Sequence, residues 1–255
     1  IADEAHHNVA NINGGNNNDN TWESTVSRIH KAKIDNFLIE FTATIDLETR
    51  ELVNHYQNKV IFRYDLSEFR NHKYSKEINL MLSECEENDR IMQALILNLY
   101  RQELASCYNI NLKPVILFKS KRTIKESQEN KEKFHTIINE LSESSLVSLK
   151  NSNRLQPIKK AFDFFESRNI SLTDIKDSLK LYFKPENCIS ANDDKESEKN
   201  QILLNTLEDE NNPIRAIFAI QKLNEGWDVL NLFDIVRLYE TRDARNGNPG
   251  PTTIS

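Results

Sequence analysis

The chain alternates between amphipathic helix patterns and short apolar runs, and this alternation restricts its fold more than any other feature. Apolar residues recur at helical spacing over residues 20–34 and 89–108. Each pattern is followed by an apolar run that is too short for most helices, NFLIEFTAT at 36–44 and KPVILFKSK at 113–121. Because a helix followed by a buried strand is the repeating unit of parallel sheets, the sequence predicts an α/β fold with parallel strands and flanking helices.

Other segments extend the same pattern along the chain. Residues 59–66, KVIFRYDL, predict a second strand in the first part of the sequence. Two further strands and four further helices are predicted in the second part, the strands at 214–221 and 234–241 and the helices at 123–142, 158–167, 172–183 and 192–212. The order of these elements indicates two α/β units, a short one over residues 1–76 and a longer one over residues 77–255.

The composition excludes several classes of protein. The 255 residues carry a net charge of −6, so any contact with nucleic acid requires a local basic patch. No apolar run approaches the ~20 residues of a membrane span, and no secretory signal pattern is present. Cys85, Cys107 and Cys188 form no C-x-x-C pair, which predicts buried free thiols in a reducing compartment. We therefore expect a cytoplasmic protein without a membrane partner.

The stretch DEAHH, Asp3 to His7, is the first candidate for chemistry. Neighbouring side chains at the end of a strand point to different sides, so Asp3 can hold a hard cation such as Mg²⁺ while Glu4 orients or deprotonates a water molecule. A bare Asp-Glu pair is also typical of a charged surface turn. The two histidines also allow a zinc site, although neither an HExxH spacing nor paired cysteines accompany them. The residues alone leave these three alternatives open.

Two further stretches follow predicted strands. Thr42 and Thr44 form the sequence TAT at the end of an apolar run, where threonine either terminates the strand or presents its hydroxyl to a ligand. In NEGWDV, residues 224–229, Gly226 lets the backbone turn sharply or lets a phosphate or ribose approach it closely. The adjacent Trp227 fits a core position as well as a stacking position.

A basic turn follows the predicted strand at 113–121. It contains Lys119, Lys121 and Arg122. Such a turn either contacts phosphate groups or is simply solvated, and the sequence leaves both readings open.

In this order and spacing, the motifs resemble those of superfamily 2 helicases and translocases. DEAHH is similar to their motif II, the Walker B element, TAT to their motif III, and residues 221–244 to their motif V with the strand that follows it. KPVILFKSK, NEGWDV and the ending NGNPGPTTIS resemble more specifically the restriction (Res) subunit of Type III restriction–modification enzymes. The resemblance implies RecA-like parallel sheets, with the C-terminal part of a first helicase domain over 1–76 and most of a second over 77–255.

The resemblance also implies roles for residues of the first unit. Asp3 would bind Mg²⁺ together with the phosphates of ATP, Glu4 would position the attacking water, and His6 would couple the nucleotide site to the second domain. Thr42 and Thr44 would link ATP hydrolysis to movement against DNA.

In the second unit, the resemblance implies that Gly226 lies against the nucleotide and that Asp228 accepts a hydrogen bond from the ribose of ATP. Lys119, Lys121 and Arg122 would face the DNA track or the cleft between the domains.

For the whole protein, the resemblance implies an ATP-dependent site-specific deoxyribonuclease with a helicase motor. Its partners would be double-stranded DNA and the modification methyltransferase (Mod) subunit, in the bacterial cytoplasm. Another superfamily 2 member, such as a Type I restriction motor or a repair helicase, is an alternative. A helicase-like module that binds DNA or protein without turnover is a second alternative.

Some of the expected motor elements are missing from the sequence. No G-x-x-x-x-G-K-[ST] pattern exists, and Arg242 and Arg245 lack the glycine context of motif VI, so we interpret them as loop residues. We expect Ile1 to be the end of a sheet strand whose upstream half is not among these residues. The resemblance implies that the phosphate loop precedes motif II and that the nuclease domain is C-terminal. Since the loss of an arginine finger alone costs about 10³–10⁵ in rate, we expect no useful ATPase, translocase or nuclease activity from these residues by themselves.

Overall fold

The structure is a computed structural model, and it divides the chain into two compact units, Ile1–Met81 and Leu82–Ser255. The residues that it describes are 1, 22–42, 53–54, 56–77, 79–81, 86–152, 155–192, 198–220, 229–239, 244–245 and 248–249.

The described part of the first unit contains helices and segments without regular secondary structure, and it contains no regular strand. Helix α1 (Trp22–Lys31) confirms the helix predicted over 20–34. The strands predicted at 36–44 and 59–66 are wrong over their described residues: residues 36–42 show a single bridge at Glu40, and residues 60–65 form no ladder. Apolar, β-branched composition indicates a strand only where a neighbour supplies hydrogen bonds and a covering face. Among the described residues of this unit, only Tyr56 is buried.

Helix α2 (Leu66–Asn71) has well-formed caps at both ends. The Asp65 side chain accepts a hydrogen bond from the backbone N–H of Glu68, and the Glu68 side chain accepts one from that of Asp65, which is a capping box. At the other end, Lys73 adopts a left-handed φ of 64° and donates to the Arg70 carbonyl. Tyr74 donates to the Phe69 carbonyl, and the two rings lie 5.6 Å apart, which completes a Schellman motif.

The second unit contains the predicted parallel sheet. Its four strands lie in the order β2-β3-β1-β4 and all pair in parallel. The strands are β1 (Val115–Lys119), β2 (Cys188–Ser190), β3 (Ala216–Ala219) and β4 (Leu232–Arg237). The fold is therefore α/β and consistent with a RecA-like domain, as predicted. Strand β2 was not predicted, because three residues at a sheet edge are too few to show a period of two.

Helices surround this sheet on both faces. They are α3 (Glu87–Ser106), α4 (Ile124–Glu140), α5 (Glu143–Ser152), α6 (Gln156–Ser167), α7 (Leu172–Tyr182) and α8 (Glu198–Asn205), with a short 3₁₀ helix at Pro185–Asn187. A two-residue antiparallel pair, β5 (Ala244–Arg245) and β6 (Asn248–Pro249), follows the sheet. Helix α5 was not predicted, and α8 is shorter than expected. Within the residues that the structure describes, none of the helices combines the length and apolar character that a bilayer span requires.

The alternation of side chains along β1 divides the core into two layers. Phe118 stacks on Phe218 of β3 at 5.0 Å and contacts Phe134 of α4 at 5.2 Å. Val115 and Leu117 belong instead to a cluster on the opposite face, with Leu204 of α8, Leu207 and their neighbours. Because successive residues of a strand point to opposite faces, one short strand anchors helices on both sides.

Helix α3 is enclosed rather than exposed on one side. Residues 91–99 are buried without interruption, as the helix packs against β1 and β4 and also against α5, α6 and α7. This burial explains why residues 91–99 are mostly apolar after a polar first turn at 87–90. The helices α5–α7 thus form an outer layer that covers α3.

The cysteines agree only in part with the prediction of buried thiols. Cys188 in β2 is buried, and burial raises its pKa to about 12. Cys107 is exposed after the end of α3, where its sulfur contacts the guanidinium of Arg168, so the prediction is wrong for this residue. An amphipathic helix pattern does not show where the helix leaves the core. Cys85 lies outside the described residues.

Candidate functional site

The carboxyl ends of the parallel strands share one edge of the sheet, which is where α/β proteins bind ligands. Strand β1 ends at this edge with Lys119, followed by Ser120, Lys121 and Arg122. Lys119 stands in register with Arg237, the last residue of the neighbouring strand β4. Because partners in a parallel pair share a face, the sequence-predicted Lys119 gains a second cation beside it.

The electrostatics of this pair favour an anion. Burial lowers the pKa of Lys119, and the positive charge of Arg237 lowers it further. Like charges directly opposite each other on neighbouring strands are destabilising. A bound phosphate would offset both effects, since it would favour the charged form of the lysine.

Backbone and side-chain hydrogen bonds hold this edge in place. The Ser120 N–H donates to the Ala219 carbonyl at 2.9 Å, and the Leu238 N–H donates to the Lys119 carbonyl at 2.9 Å. Asn130 of α4 donates through Nδ2 to the buried Ser120 hydroxyl at 2.8 Å. The edge is therefore tied to both neighbouring strands and to a helix.

A third cation reaches the same edge from α3. Arg90 donates through Nη1 to the Arg237 carbonyl at 3.1 Å. The guanidinium of Arg237 lies 5.9 Å from the centre of the Tyr239 ring. Sequence analysis missed Arg90 and Arg237 because their proximity to Lys119 depends on the strand order and register. Arg237 was visible only as a charged residue inside the predicted strand 234–241.

The basic turn itself is organised by the start of α4. Thr123 caps this helix by accepting from the Glu126 N–H at 3.1 Å. The Glu126 carboxylate accepts the backbone N–H groups of Lys121 and Arg122, each at 3.2 Å. Glu126 thus occupies the position at which a helix start could bind an external anion. An anion at this turn would be contacted by the side chains of Lys121 and Arg122.

Most of the other predicted site residues lie outside the part of the chain that the structure describes. Thr42 is described, and it lies half-buried two residues after the bridge at Glu40. Six further predicted residues, and Trp227 with them, lie outside the described residues: Asp3, Glu4, His6, Thr44, Gly226 and Asp228. Among the residues with described positions, no three His, Cys, Asp or Glu side chains are grouped so that they could hold a metal ion.

Comparison with known proteins identifies the family. The chain is similar to a probable type III restriction-modification enzyme HindVIP Res subunit of Haemophilus influenzae, with 35% identity over an alignment of 293 residues. The alignment covers 97% of this chain and 56% of the relative. The chain belongs to the family of Type III restriction–modification Res subunits.

This Res-family chain spans just over half the length of that relative, so the name of the relative describes a longer protein. No family model matches the chain, and no solved structure matches it. In this Res-family chain, the structure brings Lys119, Arg237 and Arg90 together at one edge of the sheet, beside the basic turn. These three residues are the cationic edge.

Proposed function

We propose that this Res-family chain is part of the ATP-dependent DNA motor of a Type III restriction endonuclease, and that the carboxyl edge of its sheet contacts DNA phosphates. The observation that carries this proposal is the register of Lys119 with Arg237, which puts two cations side by side at the ligand-binding edge. Its support also includes the similarity to a curated Res subunit over 97% of the chain.

Contacts of this kind would position the motor without reading sequence. Lysine and arginine bind phosphate oxygens, which are the same at every base pair. This agrees with a division of labour in which the modification methyltransferase reads the recognition sequence and a nuclease domain outside these residues cuts the DNA. Double-stranded DNA and the methyltransferase are accordingly the proposed partners, and a role on DNA places the protein in the bacterial cytoplasm.

For the nucleotide, we retain the residues that the family resemblance implies. Asp3 would hold Mg²⁺, and Glu4 would orient the water that attacks the phosphate. Gly226 and Asp228 would lie against the nucleotide, with the Asp228 carboxylate on the ribose. A bound magnesium ion neutralises charge on the phosphates when hydrolysis occurs.

Coupling of hydrolysis to movement is assigned to three other residues. His6 would connect the nucleotide site to the second domain, and the hydroxyls of Thr42 and Thr44 would link it to DNA contact. Since the 255 residues contain no Walker A pattern, we expect these residues alone to have little ATPase activity.

The enzymatic part of the proposal is tested with Glu4→Gln in the full-length protein. Glutamine preserves the size of the side chain but cannot act as a base, so DNA-stimulated ATP hydrolysis should fall by about 10²-fold or more. Nucleotide binding, measured with a fluorescent ATP analogue, should remain. A variant that still hydrolyses ATP at the normal rate would remove Glu4 from this role and would favour a nucleotide site elsewhere.

A further inference from the structure

A second concentration of positive charge lies in the first unit, in residues 59–76, here called the aromatic–basic segment. It contains five lysine and arginine residues against two carboxylates, a net charge of +3 in a chain whose total is −6. Both carboxylates, Asp65 and Glu68, bond to backbone N–H groups in the capping box of α2. The segment therefore presents a positive surface whose acidic groups are used internally.

Aromatic rings alternate with these cations along the same segment. Phe62 and Tyr64 are stacked with an interplanar angle of 19°, and Tyr64 stacks on His72 at 5.6 Å. The Tyr64 hydroxyl and His72 Nδ1 lie 2.7 Å apart and share a hydrogen bond. Phe69 contacts Tyr64 edge-on at 6.1 Å, and Tyr74 contacts both Phe69 and His72. The five rings form one contiguous cluster.

The rings of this cluster differ in exposure, and Phe62 and Tyr74 are its outer, most exposed rings. Phe62 is 81% exposed and Tyr74 is 70% exposed, whereas Tyr64 and Phe69 are partly covered by their neighbours. The capping box and the Schellman motif of α2 fix the backbone around Phe69 and Tyr74, and Phe62 precedes the capping box by three residues. Both outer rings are thus accessible to solvent.

We propose that the aromatic–basic segment binds single-stranded nucleic acid, with Phe62 and Tyr74 stacking on unpaired bases and Arg70 and Lys73 contacting phosphates. Exposed rings interleaved with cations are the combination that binds a single strand, because every base has a face for stacking and every linkage has a charge. This goes beyond the proposed motor function, in which phosphate contacts to a duplex suffice.

The charge selects this ligand over an apolar protein surface. An apolar protein surface laid over the segment would cover the cations together with the rings and would desolvate them without compensation. A duplex has its base faces stacked inside, so it could use the cations but not the rings. The structure therefore favours a polyanion with accessible base faces.

The experiment compares binding of a fluorescein-labelled 20-nucleotide oligo-dT and of the matching duplex to the full chain by fluorescence anisotropy. The test variant, Phe62→Leu with Tyr74→Leu, removes the exposed rings and retains apolar side chains. Stacking predicts at least a 10-fold loss of affinity for the single strand, because each aromatic ring that stacks on a base contributes about 1–3 kcal/mol to binding. The affinity for the duplex should change less than 2-fold. Arg70→Gln should weaken both ligands and reduce the dependence of affinity on salt.

Tyr108→Leu is the matched control, because Tyr108 is an equally exposed ring in the second unit. It should bind the single strand as the unchanged protein does. Unchanged single-strand affinity of the double variant, Phe62→Leu with Tyr74→Leu, would overturn the proposal, whether or not its melting temperature is altered. If duplex binding depends on Lys119 and Arg237 while no single strand binds, this inference fails and the motor proposal stands. If the single strand binds through Phe62 and Tyr74 while duplex binding does not depend on Lys119 and Arg237, this inference stands and the proposed duplex contact of the sheet edge fails.

Discussion

Arg215 allows a quantitative test of how the second unit is held together. This residue precedes β3 and is buried, and its Nη2 donates to Asn98 Oδ1 at 2.9 Å and to Gln102 Oε1 at 2.7 Å, both on α3. Its guanidinium lies 4.7 Å from the Tyr182 ring. No carboxylate pairs with it among the described residues. Burial accordingly lowers its pKa to about 10.

We expect Arg215→Ala to cost about 1.5–5 kcal/mol of unfolding free energy. The fully buried Asn98 oxygen would lose its donor, which costs about 1–3 kcal/mol. The lost contact between guanidinium and ring adds about 0.5–2 kcal/mol. Arg215→Lys should cost only about 1–2 kcal/mol, since lysine retains the charge and one donor but not the planar fork.

The assay is urea unfolding followed by far-ultraviolet circular dichroism, in which a shift of the midpoint at constant m reports stability. Lys125→Ala is the matched control in the same unit, because the exposed Lys125–Glu129 pair should contribute only about 0.3–0.5 kcal/mol. If Arg215→Ala shifted the midpoint no further than this control, the account of Arg215 as a tie between β3, α3 and α7 would be refuted.

Three further predictions concern the helix ends and a titratable group. Asn169 occupies a left-handed position (φ 57°) after α6, so Asn169→Val should lower stability by about 1–2 kcal/mol, measured by urea unfolding, while Asn169→Gly should be nearly neutral. Lys73→Gly should stabilise α2 by up to about 1 kcal/mol, measured by thermal unfolding, because Lys73 carries a Cβ at such a position. Burial, and then the charge of Lys131, lowers the pKa of His135, so the unfolded chain binds its proton more readily. Stability should therefore fall as the pH drops below about 6.5, and less so in His135→Gln, measured by urea unfolding at several pH values.

The sequence predicted β1 and β3, which are buried, and also the partly exposed β4. Ile116 and Ile217 stand in continuous apolar runs because helices cover both sides of β1 and β3, and such runs are visible without an alignment. The same signal was wrong in the first unit, where Phe37 and Ile61 lie more than 90% exposed. Composition indicates which residues could enter a strand, but pairing partners decide whether they do.

The candidate site was predictable only in part for a related reason. Lys119 was found because it ends an apolar run, whereas Arg237 and Arg90 join it through the register of β4 and the course of α3. Periodicity carries no information about which strands are neighbours. The role of Glu126 was equally hidden, since a carboxylate in the first turn of a helix indicates a cap but not which N–H groups it accepts.

The salt dependence of duplex binding tests the central claim most directly. In the full-length protein, Lys119→Ala with Arg237→Ala should reduce the slope of log affinity against log salt concentration by about 2, since each phosphate contact contributes about 0.9. Lys160→Ala, which removes an exposed lysine from α6, should leave the slope unchanged. A double variant that retains the full slope and affinity would contradict the assignment of this sheet edge to DNA.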